Sequence, residues 1–141
     1  MRIAIDMGNF VILTFLINFV WVASAHELVS DKCLHCLCLA NTNCNWNIGC
    51  TDQGVCGGQA IGGPYFQDCN VPGRSYKGCA NNRKCADTCV RNYMARYKKD
   101  CDGNGIINCW DFARIHRLGP FGCDGKLPPA YNQVLKKCLK K

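Results

Sequence analysis

The sequence predicts an α+β fold: a small, mainly helical, disulfide-rich domain with a minor sheet. Three observations predict it. Fourteen cysteines crowd a chain of 141 residues. Several stretches place apolar residues and cysteines at helical spacing. Between the first and second of these, residues 43–63 are rich in Asn and Gly and hold only short apolar pieces, which reads as a small irregular sheet or loop region. There are no internal repeats or low-complexity tracts, so the chain reads as one domain.

The elements follow in order. Arg2 precedes an apolar run over 10–22 (FVILTFLINFVWV) that ends at Ala23-Ser24-Ala25. A charged start, an apolar segment of this length and a small-x-small end describe a secretory signal peptide over 1–25. A membrane anchor would want ~20 apolar residues, whereas this run is shorter and is interrupted by Asn18. The expectation is a secreted, extracellular domain over 26–141 with no transmembrane segment. Ser30 or Asp31 is placed to cap a first helix that carries Cys33, Leu34, Leu37 and Cys38 on one face. Residues 85–99 form the clearest helix, with Cys85, Cys89, Tyr93 and Tyr97 at i, i+4 intervals. A further helix over 108–116 is stopped by Gly119-Pro120. The last begins after Pro128-Pro129 and sets Tyr131, Val134, Leu135 and Cys138 on one side.

All the cysteines lie after the signal: Cys33, Cys36, Cys38, Cys44, Cys50, Cys56, Cys69, Cys79, Cys85, Cys89, Cys101, Cys109, Cys123 and Cys138. An even number in an oxidising compartment predicts a disulfide framework, and such bridges offset the modest core of a small domain by restricting its unfolded chain. A zinc site on Cys33-x-x-Cys36 is the weaker reading, since exported thiols are consumed by oxidation. The pairing is not fixed by spacing.

The net charge is +7. Removing Arg2 and Asp6 with the signal leaves it unchanged, and Lys126, Lys136, Lys137, Lys140 and Lys141 concentrate it at the C-terminus against one acid, Asp124. A secreted cation of this kind is drawn to anionic polymers or lipid surfaces, or is simply kept soluble; nucleic acid is not an expected partner outside the cell. No Asn-x-Ser/Thr sequon occurs.

These segments carry a family resemblance. Cys33-Leu-His-Cys36-Leu-Cys38 with Cys44 and Gly49-Cys50, then Cys56-Gly57, Tyr65, Asp68-Cys69 and Pro72-Gly73, resemble the invertebrate-type lysozymes, which include the destabilases. The likeness continues through residues 89–97 (CVRNYMARY), 112–116 (FARIH) and Gly119-Pro-Phe-Gly-Cys123. It implies a lysozyme-like fold with a cleft between helical and sheet regions. It also implies partners, bacterial peptidoglycan or a chitin-like glycan, in antibacterial defence or digestion. Cleaving a β-1,4 glycosidic bond needs one carboxylic acid to protonate the leaving oxygen and a second carboxylate as nucleophile or base. No cofactor is required. In the family the acid is a glutamate three residues before the cysteine matching Cys44; here that position is Asn41. An amide has no proton to deliver near neutral pH, and general acid catalysis is worth ~10²–10⁴ in rate. Asp52 is the candidate second carboxylate, in a loop shorter than the family's. The one glutamate after the signal is Glu27, beside the chain end expected after cleavage. Impaired catalysis is the expectation; an active muramidase with another acid and a cationic, non-enzymatic antibacterial protein are the alternatives.

Some members of the family are credited with isopeptidase chemistry on a serine, a lysine and a histidine. The matching positions are Val55, Gly62 and His116, so the resemblance implies that this activity is absent. Trp46, Tyr65 and Phe66 are candidate glycan-binding aromatics, since flat rings suit sugar faces, with core packing as their ordinary use.

One motif is independent of the resemblance. Asp100-x-Asp102-x-Asn104-Gly105-Ile106-x-Asn108-x-x-Asp111 fits a calcium loop: hard oxygens at the first, third and fifth places, glycine at the sixth, a carbonyl at the seventh and a carboxylate at the twelfth. A structural Ca²⁺ is the candidate ligand; a polar turn between helices is the other reading.

Overall fold

The computed structural model describes residues 27–141, so the expected signal peptide and His26 lie outside the described residues. The elements run α1 (Asp31–Thr42), β1 (Val55–Cys56), β2 (Ile61–Gly62), α2 (Gly63–Cys69), α3 (Tyr76–Ala80), α4 (Arg83–Tyr97), α5 (Cys109–Leu118) and α6 (Pro129–Lys140). Among the described residues no helix is long and apolar enough to cross a membrane.

Each expected helix forms with a local reason for its start. The Ser30 hydroxyl accepts from the Cys33 amide and caps α1, and Asp31 adds a carboxylate to its first turn. Asn82 caps α4 and moves its start two residues ahead of the expected Cys85. Asn108 and Asp111 form a reciprocal capping box on α5. α6 starts with proline in its first turn. Two short helices were not expected, α2 and α3; Gly63-Pro64 reads as a turn, yet the proline sits where a helix tolerates its missing N–H.

The sheet is a two-stranded antiparallel hairpin with Val55 opposite Gly62 and Cys56 opposite Ile61. Its turn is pressed against the rest of the molecule. Gly57 has φ +72°, and a Cβ there would come 1.7 Å from the Ala80 carbonyl oxygen.

The core is built around α4, which buries Ala86, Cys89, Val90, Tyr93 and Met94. α2, α3 and α5 pack on α4, while α1 packs chiefly on α6. Leu34 and Leu37 from α1, Ile61 from β2, Phe112 and Ile115 from α5, and Tyr131 and Leu135 from α6 complete it. Val134, expected on the buried side of α6, is instead 39% exposed.

All fourteen cysteines are bridged: Cys33–Cys109, Cys36–Cys138, Cys38–Cys44, Cys50–Cys56, Cys69–Cys89, Cys79–Cys85 and Cys101–Cys123. Cys33 and Cys36 take partners on different helices, which removes the zinc reading.

Gly57→Ala is expected to lower stability by about 2–4 kcal/mol, from a forbidden contact added to a strained φ. Gly54→Ala, at φ +76° with open space, should lose about 1–2 kcal/mol. Urea unfolding with disulfides intact checks both, and equal losses would remove the contact from the explanation.

Candidate functional site

α1 delivers Asn41 in its last turn. Asn43 and Cys44 then adopt left-handed φ values of 54° and 53°, and the Cys38–Cys44 bridge ties this reversal back to the helix. Thr42 Oγ1 donates to the Gly58 carbonyl at 2.6 Å and fixes the end of α1 on the hairpin turn. Asn41 is half-buried, and its Nδ2 is enclosed without a hydrogen-bond partner. The side chain offers amide donors and an acceptor but no acidic proton.

Asp52 lies on the exposed turn between Cys50 and Val55, which is closed by Thr51 N–H to Val55 O at 2.8 Å and Gly54 N–H to Thr51 O at 3.0 Å. Glu27 is not loose, as a chain end would suggest: its carboxylate meets Arg91 Nε at 2.7 Å, and Arg91 also holds Asp31 at 2.6 Å. This cluster marks the start of α1. Asn41 lies ten residues further on, ~15 Å along a helix rising 1.5 Å per residue. The glutamate is anchored at the wrong end to supply a proton beside Asn41.

The positions tied to isopeptidase chemistry do come together. Val55 and Gly62 are directly paired across the hairpin, and neither offers a nucleophile or a base. His116 Nε2 is 2.8 Å from the Gln59 carbonyl, and its Nδ1 is 3.0 Å from Tyr65 Oη. A carbonyl can only accept, so Nε2 carries the proton and Nδ1 accepts from the tyrosine hydroxyl. The imidazole is therefore a neutral strut between hairpin and α2. Burial lowers its pKa to about 4, a shift opposed by the bond to Gln59 and assisted by the nearby Arg117 charge.

Sequence reasoning missed Gln59, which has no periodic signature. It is buried, and its Nε2 donates to the Leu34 carbonyl at 3.1 Å and to Asp87 Oδ1 at 2.9 Å. One side chain thus joins the hairpin to α1 and α4.

The three candidate aromatics separate. Tyr65 stacks on Tyr93 at 3.6 Å between ring centroids, and burial raises its hydroxyl pKa well above the ordinary value. Phe66 leans on Tyr76 at 5.7 Å. Trp46 lies over Gly58, where a Cβ would meet the indole at 2.8 Å. It also lines a concavity of about 230 Å³ with His35, Gln59, Arg83 and Asp87. Only Trp46 combines a flat ring with polar groups around an open hollow.

The loop between α4 and α5 is wound by its own side-chain-to-backbone hydrogen bonds. Asp100 Oδ1 accepts from the amides of Gly103 (2.8 Å) and Asn104 (3.2 Å), and Oδ2 from Gly105 (2.8 Å). These bonds, that from Gly105 foremost, hold its pKa below the usual carboxylate value. Asp102 Oδ1 accepts from the Asn104 amide, and Asn104 Oδ1 from the Ile106 amide. Buried Asp111 accepts from the amides of Cys101 and Asn108, both at 2.8 Å, and the Asn108 side chain caps α5 through the Trp110 amide. Carboxylate oxygens of Asp100, Asp102 and Asp111 lie within 4.8 Å of one another. Hard oxygens are the donor type that calcium takes, although Asp100 Oδ1 already accepts two amides and the Asn108 side chain is committed to the helix cap.

A helix ending beside a short hairpin, on a helical core stapled by seven disulfides, defines a lysozyme-type α+β domain. The Destabilase family model matches residues 30–138. Invertebrate-type lysozyme 3 of Caenorhabditis elegans is 38% identical over 135 residues, covering 88% of this chain and 96% of that protein. The Meretrix lusoria lysozyme is 44% identical over 104 residues, covering 70% and 81%. Among solved structures, that lysozyme in complex with PliI of Aeromonas hydrophila has a TM-score of 0.67 at 40% identity, covering 80% of this chain and 93% of its own. The Tapes japonica lysozyme has a TM-score of 0.64 at 40% identity, covering 79% and 91%. The chain belongs to the destabilase family of invertebrate-type lysozymes.

His116 has a testable pH signature. Its folded pKa, about 4, lies below the unfolded value near 6.5. The unfolded chain therefore binds more protons in that window, and stability falls as pH drops from 6.5 towards 4. The loss should be on the order of 2 kcal/mol, allowing for the ring's partial exposure. His116→Gln should flatten this part of the stability–pH curve measured by chemical denaturation. A curve of unchanged slope would show that the imidazole is charged in the native state.

Proposed function

We propose that this protein is a secreted member of the invertebrate-type lysozymes that binds peptidoglycan or a related β-1,4 glycan, in antibacterial defence or digestion, with general acid catalysis lost. The observation that carries the reading is Asn41 at the end of α1, with the only described glutamate, Glu27, held by Arg91 at the far end of the same helix. Hydrolysis needs a proton at the glycosidic oxygen and a carboxylate across from it. The first is missing, and Asp52 alone does not make the pair. Retained binding is supported by Trp46 over its hollow, by the amide of Asn41 and by the positive charge, which favours anionic cell walls. The paired Val55 and Gly62 support the absence of isopeptidase activity as well.

The test is a cell-wall turbidity assay on the natural protein and on Asn41→Glu. The natural protein should pull down with insoluble peptidoglycan at high salt yet leave the walls turbid. The variant should gain lysis by about 10²-fold or more. Lysis by the natural protein at the rate of an active lysozyme would overturn the reading and point to another acid.

Asp100, Asp102, Asn104, the Ile106 carbonyl and Asp111 are proposed as the ligands of a structural calcium ion. Calcium at about 100 times its Kd should stabilise the fold by about 2.7 kcal/mol, raising the thermal midpoint relative to chelator. Asp102→Ala should abolish the shift. A midpoint indifferent to millimolar Ca²⁺ would leave the loop a plain turn.

A further inference from the structure

On the flank of α1 turned towards the C-terminus, α1 and α6 leave an open groove of about 420 Å³ that is predominantly apolar. Leu39, Val134 and Cys138 line it, and Lys32, Lys137 and Lys141 stand around it. The arrangement follows from helical spacing. Val134, Lys137 and Lys141 are i, i+3 and i+7 on one stripe, beside the stripe of Tyr131 and Leu135 that enters the core. Across the groove, Lys32 and Leu39 are i and i+7 on α1. Each helix therefore contributes an aliphatic side chain and at least one ammonium to the same trough.

The lysine side chains here make no ion pair among the described residues. Among the described residues every ion pair is made by an arginine, and α6 contains no acid. Lys32 Nζ donates only to the Leu139 carbonyl, at 3.3 Å. An acidic polysaccharide would satisfy the ammonium groups but leave the trough empty. A neutral apolar ligand would do the reverse. The ligand that matches both is an anionic amphiphile, with a chain for the trough and a phosphate for the lysines, whose stems lie along apolar surface while their heads reach outward.

We propose that this groove binds an anionic phospholipid at a bilayer surface, one acyl chain against Leu39 and Val134 and the phosphate among Lys32, Lys137 and Lys141. Neither Asn41 nor Trp46 lines the groove, although His35 borders both hollows, so the lipid reading does not rest on the glycan reading. It gives the protein a second attachment, to the lipid beneath a cell wall.

Co-sedimentation of the full secreted chain with vesicles tests it. Binding to vesicles of phosphatidylcholine mixed equally with phosphatidylglycerol should exceed binding to pure phosphatidylcholine by about tenfold or more. The double variant Lys137→Ala/Lys141→Ala should lose most of that difference, while Lys98→Ala/Lys126→Ala, which removes the same charge elsewhere, should keep most of it. Val134→Asn should weaken binding by about threefold or more with the charge intact. Unchanged thermal midpoints establish that the variants fold. The proposal is overturned if phosphatidylglycerol gives no gain, if the two lysine pairs lose equally, or if Val134→Asn is without effect. Peptidoglycan pull-down of the same variants should not change, and its failure with the natural protein would sink the glycan reading alone.

Discussion

The structure depends on one constraint: α1 is fixed by covalent bonds on three sides. Cys33 ties it to α5, Cys36 to α6, and Cys38 to the loop that follows it. The first two bridges span 76 and 102 residues. In the chain-entropy account each removes about 4–5 kcal/mol of unfolded-state freedom, against about 2 kcal/mol for a bridge closing six residues. A domain with a core this small gains much of its definition from such links. They also fix the place of Asn41, which stands at the end of this riveted helix.

Polar contacts do the remaining positioning. The hairpin is too short to stand alone. It is held by Thr42 on Gly58, by Gln59 between α1 and α4, and by the neutral imidazole of His116 beneath it. A histidine that might have been read as a remnant of catalysis is thus accounted for by two hydrogen bonds and a depressed pKa. Between α1 and α6 lies the lysine-rimmed trough, which borders the Trp46 hollow at His35.

Much of this was legible in the residues. Four helices followed from spacing and caps, because Ser30, Asn108 and Pro129 act locally and leave local marks. The Asn- and Gly-rich setting of 43–63 left a small sheet or a loop open, and the hairpin is the first of these. α2 and α3 were not legible, since helices of seven and five residues are too short to show a repeating apolar face. Val134 was misplaced because the apolar stripe of α6 is narrower than its sequence suggests. The substitution at Asn41 was readable at once from the family pattern, but the confinement of Glu27 was not, since its bond to Arg91 joins residues 64 apart in sequence. Gln59 was equally hidden: its importance comes from burial, and nothing near it in the chain announces that. Tyr65 and Phe66 show the same ambiguity from the other side, since an aromatic that could meet a sugar can as readily meet a tyrosine.

The bridge pattern also imposes an order on biogenesis. Cys38–Cys44, Cys50–Cys56 and Cys79–Cys85 each join residues six apart and can oxidise while the chain is still being delivered. Cys33 and Cys36 cannot, because their partners lie 76 and 102 residues further along the chain. Throughout delivery these two thiols sit beside Cys38 and other reactive neighbours, so the native pattern requires that they be kept reduced, or be reshuffled after a wrong pairing. The two long-range bridges are therefore the ones that depend most on thiol–disulfide exchange.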